Sequence, residues 1–136
     1  MAVISDGIRG EKNGAISFGD YKIEKKLKVA GFELNGDLYS VKTHSQITRL
    51  EKNDKLLAEA VPGATFHNLL AGEKKVTFAA EGFAATQITL ELEPGAEYKL
   101  FIDGVTVDKM KANMSGKINF SAELTGDPKD IRIEKA

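Results

Sequence analysis

Apolar and polar residues alternate with a period of two through much of the second half of the chain, the pattern of strands with one face turned inward. In residues 75–80, Val76, Phe78 and Ala80 share a face. In residues 87–93, Ile88, Leu90 and Leu92 point one way, and Thr89, Glu91 and Glu93 the other. Ile118, Phe120, Ala122 and Leu124 form one face of residues 117–124, and Ile131 and Ile133 that of the last strand. Apolar residues three and four apart, which an amphipathic helix needs, are missing from these segments.

Turn chemistry separates the strands. Asp103-Gly104 is a two-residue hairpin turn, because its type I′ geometry needs positive φ at both positions. Such a turn places Ile102 opposite Val105, Leu100 opposite Val107, Phe101 opposite Thr106 and Lys99 opposite Asp108. Glu93-Pro94-Gly95-Ala96 reads as a type II turn, and Val61-Pro62-Gly63-Ala64 repeats the pattern. Asn35-Gly36 divides residues 27–34 from 38–43, and Asn53-Asp54 divides 46–51 from 55–61. Two short segments compete as helices: residues 53–60 are read as strand and 67–71 as a turn. Short strands at this spacing predict an all-β fold, an antiparallel β-sandwich with less than ~15% helix. Its expected core contains Ile88, Leu90, Leu92, Leu100, Ile102, Val107, Ile118, Phe120, Ile131 and Ile133.

Patterning also divides the chain. Residues 1–60 have weaker alternation and read as an N-terminal β-hairpin region packed on the rest. Residues 61–136 hold about six well-patterned strands, enough for a small immunoglobulin-like sandwich. The junction at Pro62-Gly63 has no flexible linker composition.

Composition narrows the chemistry. The chain has 136 residues, 42% hydrophobic and 29% charged, with no cysteine and no tryptophan. Thiolate catalysis, thiolate metal sites and disulfides are thereby excluded. Nineteen basic residues balance 20 acidic ones for a net charge of −1. A nucleic-acid binder normally concentrates positive charge, and the one basic cluster, Lys25, Lys26 and Lys28, reads as a solvated strand edge. No apolar run approaches the ~20 residues of a membrane helix. The N-terminus lacks a secretory pattern, and Met1 favours a cytoplasmic protein.

The motifs that carry chemistry are missing. Ser115-Gly116-Lys117 is followed by Ile118 and opens a strand, unlike a phosphate-binding loop. His44 and His67 are the available bases for a nucleophilic serine, and Ser45 beside His44 points to the opposite strand face. Two histidines 23 residues apart make no zinc signature. Glu91, Glu93 and Glu97 offer three carboxylates for a hard ion, although alternating strands normally carry such a solvated acidic face. Without tryptophan, a sugar platform falls to Tyr21, Tyr39, Tyr98 or Phe101.

Residues 98–105 together with 115–124 resemble the closing strands of bacterial immunoglobulin-like sandwich modules. Residues 16–21, 36–39, 61–63, 87–92 and 109–113 are similar to a family of short all-β proteins of anaerobic Gram-positive bacteria that carry the label endosialidase. That resemblance implies glycan hydrolysis. Sialidases, however, resemble large β-propellers with Asp-box repeats and hold the sialic acid carboxylate with three arginines. This chain has only Arg9, Arg49 and Arg132 and none of the tryptophans of such boxes, so no catalytic residue is carried over.

The leading expectation is therefore a non-catalytic β-sandwich protein without cofactor or metal, acting through a protein partner or self-association. A glycan- or small-ligand-binding module built around Phe101, Thr106 and Thr89 is the alternative, and a hydrolase the second alternative.

Overall fold

The computed structural model describes residues 3–136. The reading drawn from Met1 lies outside them. Thirteen strands follow in chain order, and no helix occurs among the described residues. They are β1 (Ile8–Gly10), β2 (Ile16–Phe18), β3 (Leu27–Leu34), β4 (Asp37–Thr43), β5 (Thr48–Lys52), β6 (Lys55–Val61) and β7 (Thr65–Ala71). The rest are β8 (Lys75–Glu81), β9 (Ala85–Glu91), β10 (Glu97–Ile102), β11 (Val105–Lys111), β12 (Lys117–Glu123) and β13 (Lys129–Lys135).

All pairings are antiparallel, and the strands form two sheets packed as a β-sandwich. One has seven strands in the order β1-β2-β7-β8-β13-β10-β11, the other six in the order β12-β9-β6-β5-β4-β3. The first sixty residues supply strands to both sheets: β2 pairs with β7, and β6 pairs with both β5 and β9. A single cluster of buried apolar residues runs between the sheets, from Ile8, Phe18 and Val41 to Phe120 and Ile133. At its centre Phe66 stacks on Phe18 with ring centroids 4.6 Å apart and meets Phe78 at 5.1 Å.

The turn residues act as their chemistry requires. Asn35-Gly36, Asn53-Asp54 and Asp103-Gly104 all have positive φ at both positions, the geometry that lets a two-residue turn follow the strand twist. Gly95 is at φ +75° and Ala96 N–H donates to the Glu93 carbonyl, as a type II turn demands. Val61-Pro62-Gly63-Ala64 does not repeat it. There the Val61-Pro62 peptide is cis, Gly63 lacks positive φ, and its N–H donates to the Ser45 carbonyl at 3.0 Å. Gly63 is needed because a side chain would collide with the His44 carbonyl oxygen.

Two strand expectations change. Residues 67–71, read as a turn, belong to β7. A bulge between His67 and Leu70 puts Asn68 at φ 56° and breaks the alternation, so that Phe66 and Leu69 both reach the core. In the β10–β11 hairpin, Ile102 faces Val105 and Phe101 faces Thr106 as expected, but a bulge follows and Leu100 pairs with Asp108. Val107 is the extra residue and is 51% exposed rather than buried, and Lys99 faces Lys109 instead of Asp108. Of the other expected core residues, Leu92 and Ile102 are half-buried and the remainder are buried.

Candidate functional site

The outer face of the seven-stranded sheet carries a buried polar chain. His67 on β7 and Glu81 at the end of β8 point outward, away from Phe66 and Ala80, yet both are buried. The segment after β2 covers them. Tyr21 donates its hydroxyl hydrogen to Glu81 Oε2 at 3.0 Å, and His67 Nε2 lies 2.6 Å from Glu81 Oε1. Both carboxylate oxygens are thus engaged. Burial first, and the Glu81 carboxylate second, push the Tyr21 phenol up to about 12. Beside this chain, buried Ser17 donates to Glu11, and the Asn68 backbone N–H donates to Ser17 Oγ at 3.0 Å. The Ser17 hydroxyl, then Arg9, hold the Glu11 carboxyl below its usual range.

A groove of about 490 Å³ opens on the same face, bordered by His67, Thr77, Phe101, Asp130 and Arg132. The Arg132 guanidinium lies 4.2 Å from the Phe101 ring centroid. The Phe101 ring is therefore already capped by a cation, an interaction that flat stacking of a sugar would have to displace. Thr106 is opposite Phe101, but Thr89 lies on β9 in the other sheet, where its hydroxyl accepts from Asn119 Nδ2. The expected ligand face of Phe101, Thr106 and Thr89 is thus not assembled.

The other sequence candidates are scattered. Arg9 pairs with Glu11, Arg49 with Glu59 and Glu51, and Arg132 lies 3.3 Å from Glu134. Arg49 belongs to the six-stranded sheet, so the three arginines do not converge. His44 sits in the turn between β4 and β5, away from His67 on β7. Glu91 is opposite Lys117 on β12, Glu97 is opposite Lys111 on β11, and Glu93 binds Lys135 at 2.5 Å. Among the described residues no three acidic or histidine side chains converge on one point. Tyr39 and Tyr98 are buried, the latter accepting a hydrogen bond from the Glu93 N–H. Ser115-Gly116-Lys117 forms the turn into β12, where Asn113 Oδ1 accepts from the N–H groups of Ser115 and Lys117. Lys28 lies on the edge strand β3.

A different feature stands out at the far side of the sandwich. Four strands are sheet edges: β1, β11, β12 and β3. β1 has three residues, and β3 and β11 are both bulged. These are the usual ways of making an edge a poor template. β12 has neither. Its seven residues pair with β9 in unbroken register from Lys117↔Glu91 to Glu123↔Ala85. Leu92 N–H binds the Gly116 carbonyl, and Leu124 N–H binds the Ala84 carbonyl. Antiparallel alternation then turns the N–H and C=O groups of Asn119, Ser121 and Glu123 outward, where they have no backbone partner among the described residues.

Exposed apolar residues occur along β11 and in the turn that leads from it to this edge. Val105 is 63% exposed, Val107 51%, and Met114, in the turn between β11 and β12, 96%. Sequence reasoning missed this surface because it assigned Val107 to the core. Alternation over residues 117–123 was legible, but which strand lies at an edge is decided by distant pairings. No protein-family model, curated protein or solved structure matches the chain.

Proposed function

We propose that this protein is a non-catalytic binding module that recruits another polypeptide by strand addition to β12. The observation that carries the reading is the unbulged seven-residue edge, whose outward backbone groups at Asn119, Ser121 and Glu123 have no backbone partner among the described residues. Main-chain hydrogen bonds supply affinity in such recognition, and alternate side chains supply selectivity. The exposed Val105 and Val107 on β11 add apolar surface whose cover is favourable. The buried His67–Glu81–Tyr21 chain fits a structural part in this reading: it ties the segment after β2 to β7 and β8.

Ser121→Pro tests it. The Ser121 N–H points away from β9, so proline removes an outward donor without taking a bond from the β9 ladder. The variant is expected to keep the wild-type circular dichroism spectrum while losing association, read by sedimentation for self-association and by titration for added strand peptides. Association unchanged in a folded Ser121→Pro protein would overturn the reading. A small-ligand function is the second reading, and the groove beside Arg132 and Phe101 is the observation that favours it.

A further inference from the structure

The two sheets differ by one strand, and the difference falls at β12. On the opposite side β1 and β3 close together: Gly10 sits against the Leu34 side chain, and Gly7 against Leu27 and Val29. Counting across from that side, seven strands against six set β10 over β12 and leave β11 without a counterpart among the described residues. Val105 shows the consequence. It pairs with Ile102 and shares its inward face, yet it is 63% exposed. The vacant lane is therefore bounded by the bare edge of β12 on one side and by the inner face of β11 above it.

Resting on the strand-addition reading, we infer that the occupant of this lane is one extended segment of a different polypeptide, antiparallel to β12. It carries a basic residue facing Glu123, an acidic residue facing Lys117, and apolar residues at the three positions that face inward. Neither Lys117 nor Glu123 forms an ion pair among the described residues. They stand at the two ends of β12, on the outer face with Asn119 and Ser121. Opposite charges directly across an antiparallel pair are favourable, and like charges are not. The inward residues of the segment continue the apolar row of Ile118, Phe120 and Ala122 and cover Val105 of β11.

A second copy satisfies the charges but not the space. Pairing β12 with itself about Phe120 sets Lys117 against Glu123 of the other copy. A two-fold axis through that pair runs perpendicular to the sheet, so both seven-stranded sheets lie on the same side of it. Each copy's β11 then overhangs into the position held by the other's β10. A lone strand brings no second sheet and meets no such overlap.

The test uses the full chain and the blocked peptide acetyl-Lys-Val-Thr-Val-Thr-Val-Glu-amide, with acetyl-Glu-Val-Thr-Val-Thr-Val-Lys-amide as its reverse. The first peptide is expected to bind about tenfold more tightly than the second, from two cross-strand charge pairs. The double variant Lys117→Glu/Glu123→Lys should invert that preference, and amide shifts should concentrate on residues 105–107 and 117–123. Equal binding of both peptides, or a preference that the double variant leaves unchanged, overturns the charge register while leaving strand addition standing. A dimer that dissociates on Ser121→Pro overturns the choice of occupant. Binding of neither peptide, with no association of any kind at β12, overturns strand addition itself.

Discussion

Tyr21 and Glu81 lie 60 positions apart and meet through a 3.0 Å hydrogen bond from the phenol hydroxyl to Oε2. His67 occupies the other carboxylate oxygen. One carboxylate thus joins the segment after β2 to both β7 and β8, on the face of the sheet away from the core.

Alkali should release this link first. Burial, then the Glu81 carboxylate, push the Tyr21 phenol from its ordinary 10.0 up to about 12. The folded state favours the protonated form, so the associated stability is complete below pH 10 and is lost as pH rises through about 12. Urea midpoints taken near pH 9 and about pH 11.5 should fall further in the wild type than in Tyr21→Phe, by roughly 2 kcal/mol. Equal losses in the two proteins would show that Tyr21 ionises freely in the fold.

Phe66 and Val107 should respond oppositely to truncation. Phe66 is fully buried between Phe18 and Phe78. Phe66→Ala should destabilise by about 3–5 kcal/mol in denaturant melts. Val107→Ala, at an exposed bulge, should change stability by less than about 0.5 kcal/mol. A large loss at Val107 would return it to the core.

Buried hydroxyls lock the corner between β5 and β7. Thr48 Oγ1 donates to the Ala64 carbonyl at 2.9 Å, accepts from the Ala64 N–H at 3.2 Å and lies 2.8 Å from Thr43 Oγ1. Thr48→Val keeps the shape but strands these partners, and it should lower stability by about 1–3 kcal/mol. Thr48→Ser keeps the hydroxyl and should lose less. If serine were the worse substitute in thermal melts, packing rather than hydrogen bonding would set the energetics here.

Gly63 and Gly126 provide a backbone contrast. A Cβ at Gly63 would overlap the His44 carbonyl oxygen, whereas at Gly126 it would meet open space. Gly63→Ala should be strongly destabilising, and Gly126→Ala neutral or slightly stabilising through a stiffer unfolded chain. Similar melting temperatures for the two variants would contradict the close approach of these two loops.

Where local chemistry decides the structure, the sequence was readable. Asp103-Gly104 and Asn35-Gly36 announce their hairpins because few dipeptides tolerate two successive positive φ angles. Ile118, Phe120 and Ala122 announce β12 by simple alternation. Bulges defeat that reading. In β7 the extra residue spaces Phe66 and Leu69 three apart, which imitates a turn or helix, and in β11 it carries Val107 out of the core. The Tyr21–Glu81–His67 chain and the bare edge of β12 had no local signal at all. Each arises from pairings between residues far apart, which the period of a strand does not encode.

The position of β13 has a consequence for how the molecule is made. It comes after every other strand in the chain, yet it lies between β8 and β10. All six strands of the other sheet, from β3 to β12, precede residues 129–135 in the chain. Until β13 is in place, β8 has a bare side and the β10–β11 hairpin has nothing to dock on. Val76, Phe78 and Leu100 face a gap that only Ile131 and Ile133 fill. Closure of the seven-stranded sheet therefore waits on the strand that comes after all the others in chain order. Without β13 the seven-stranded sheet falls into two disconnected pieces, β1-β2-β7-β8 and β10-β11.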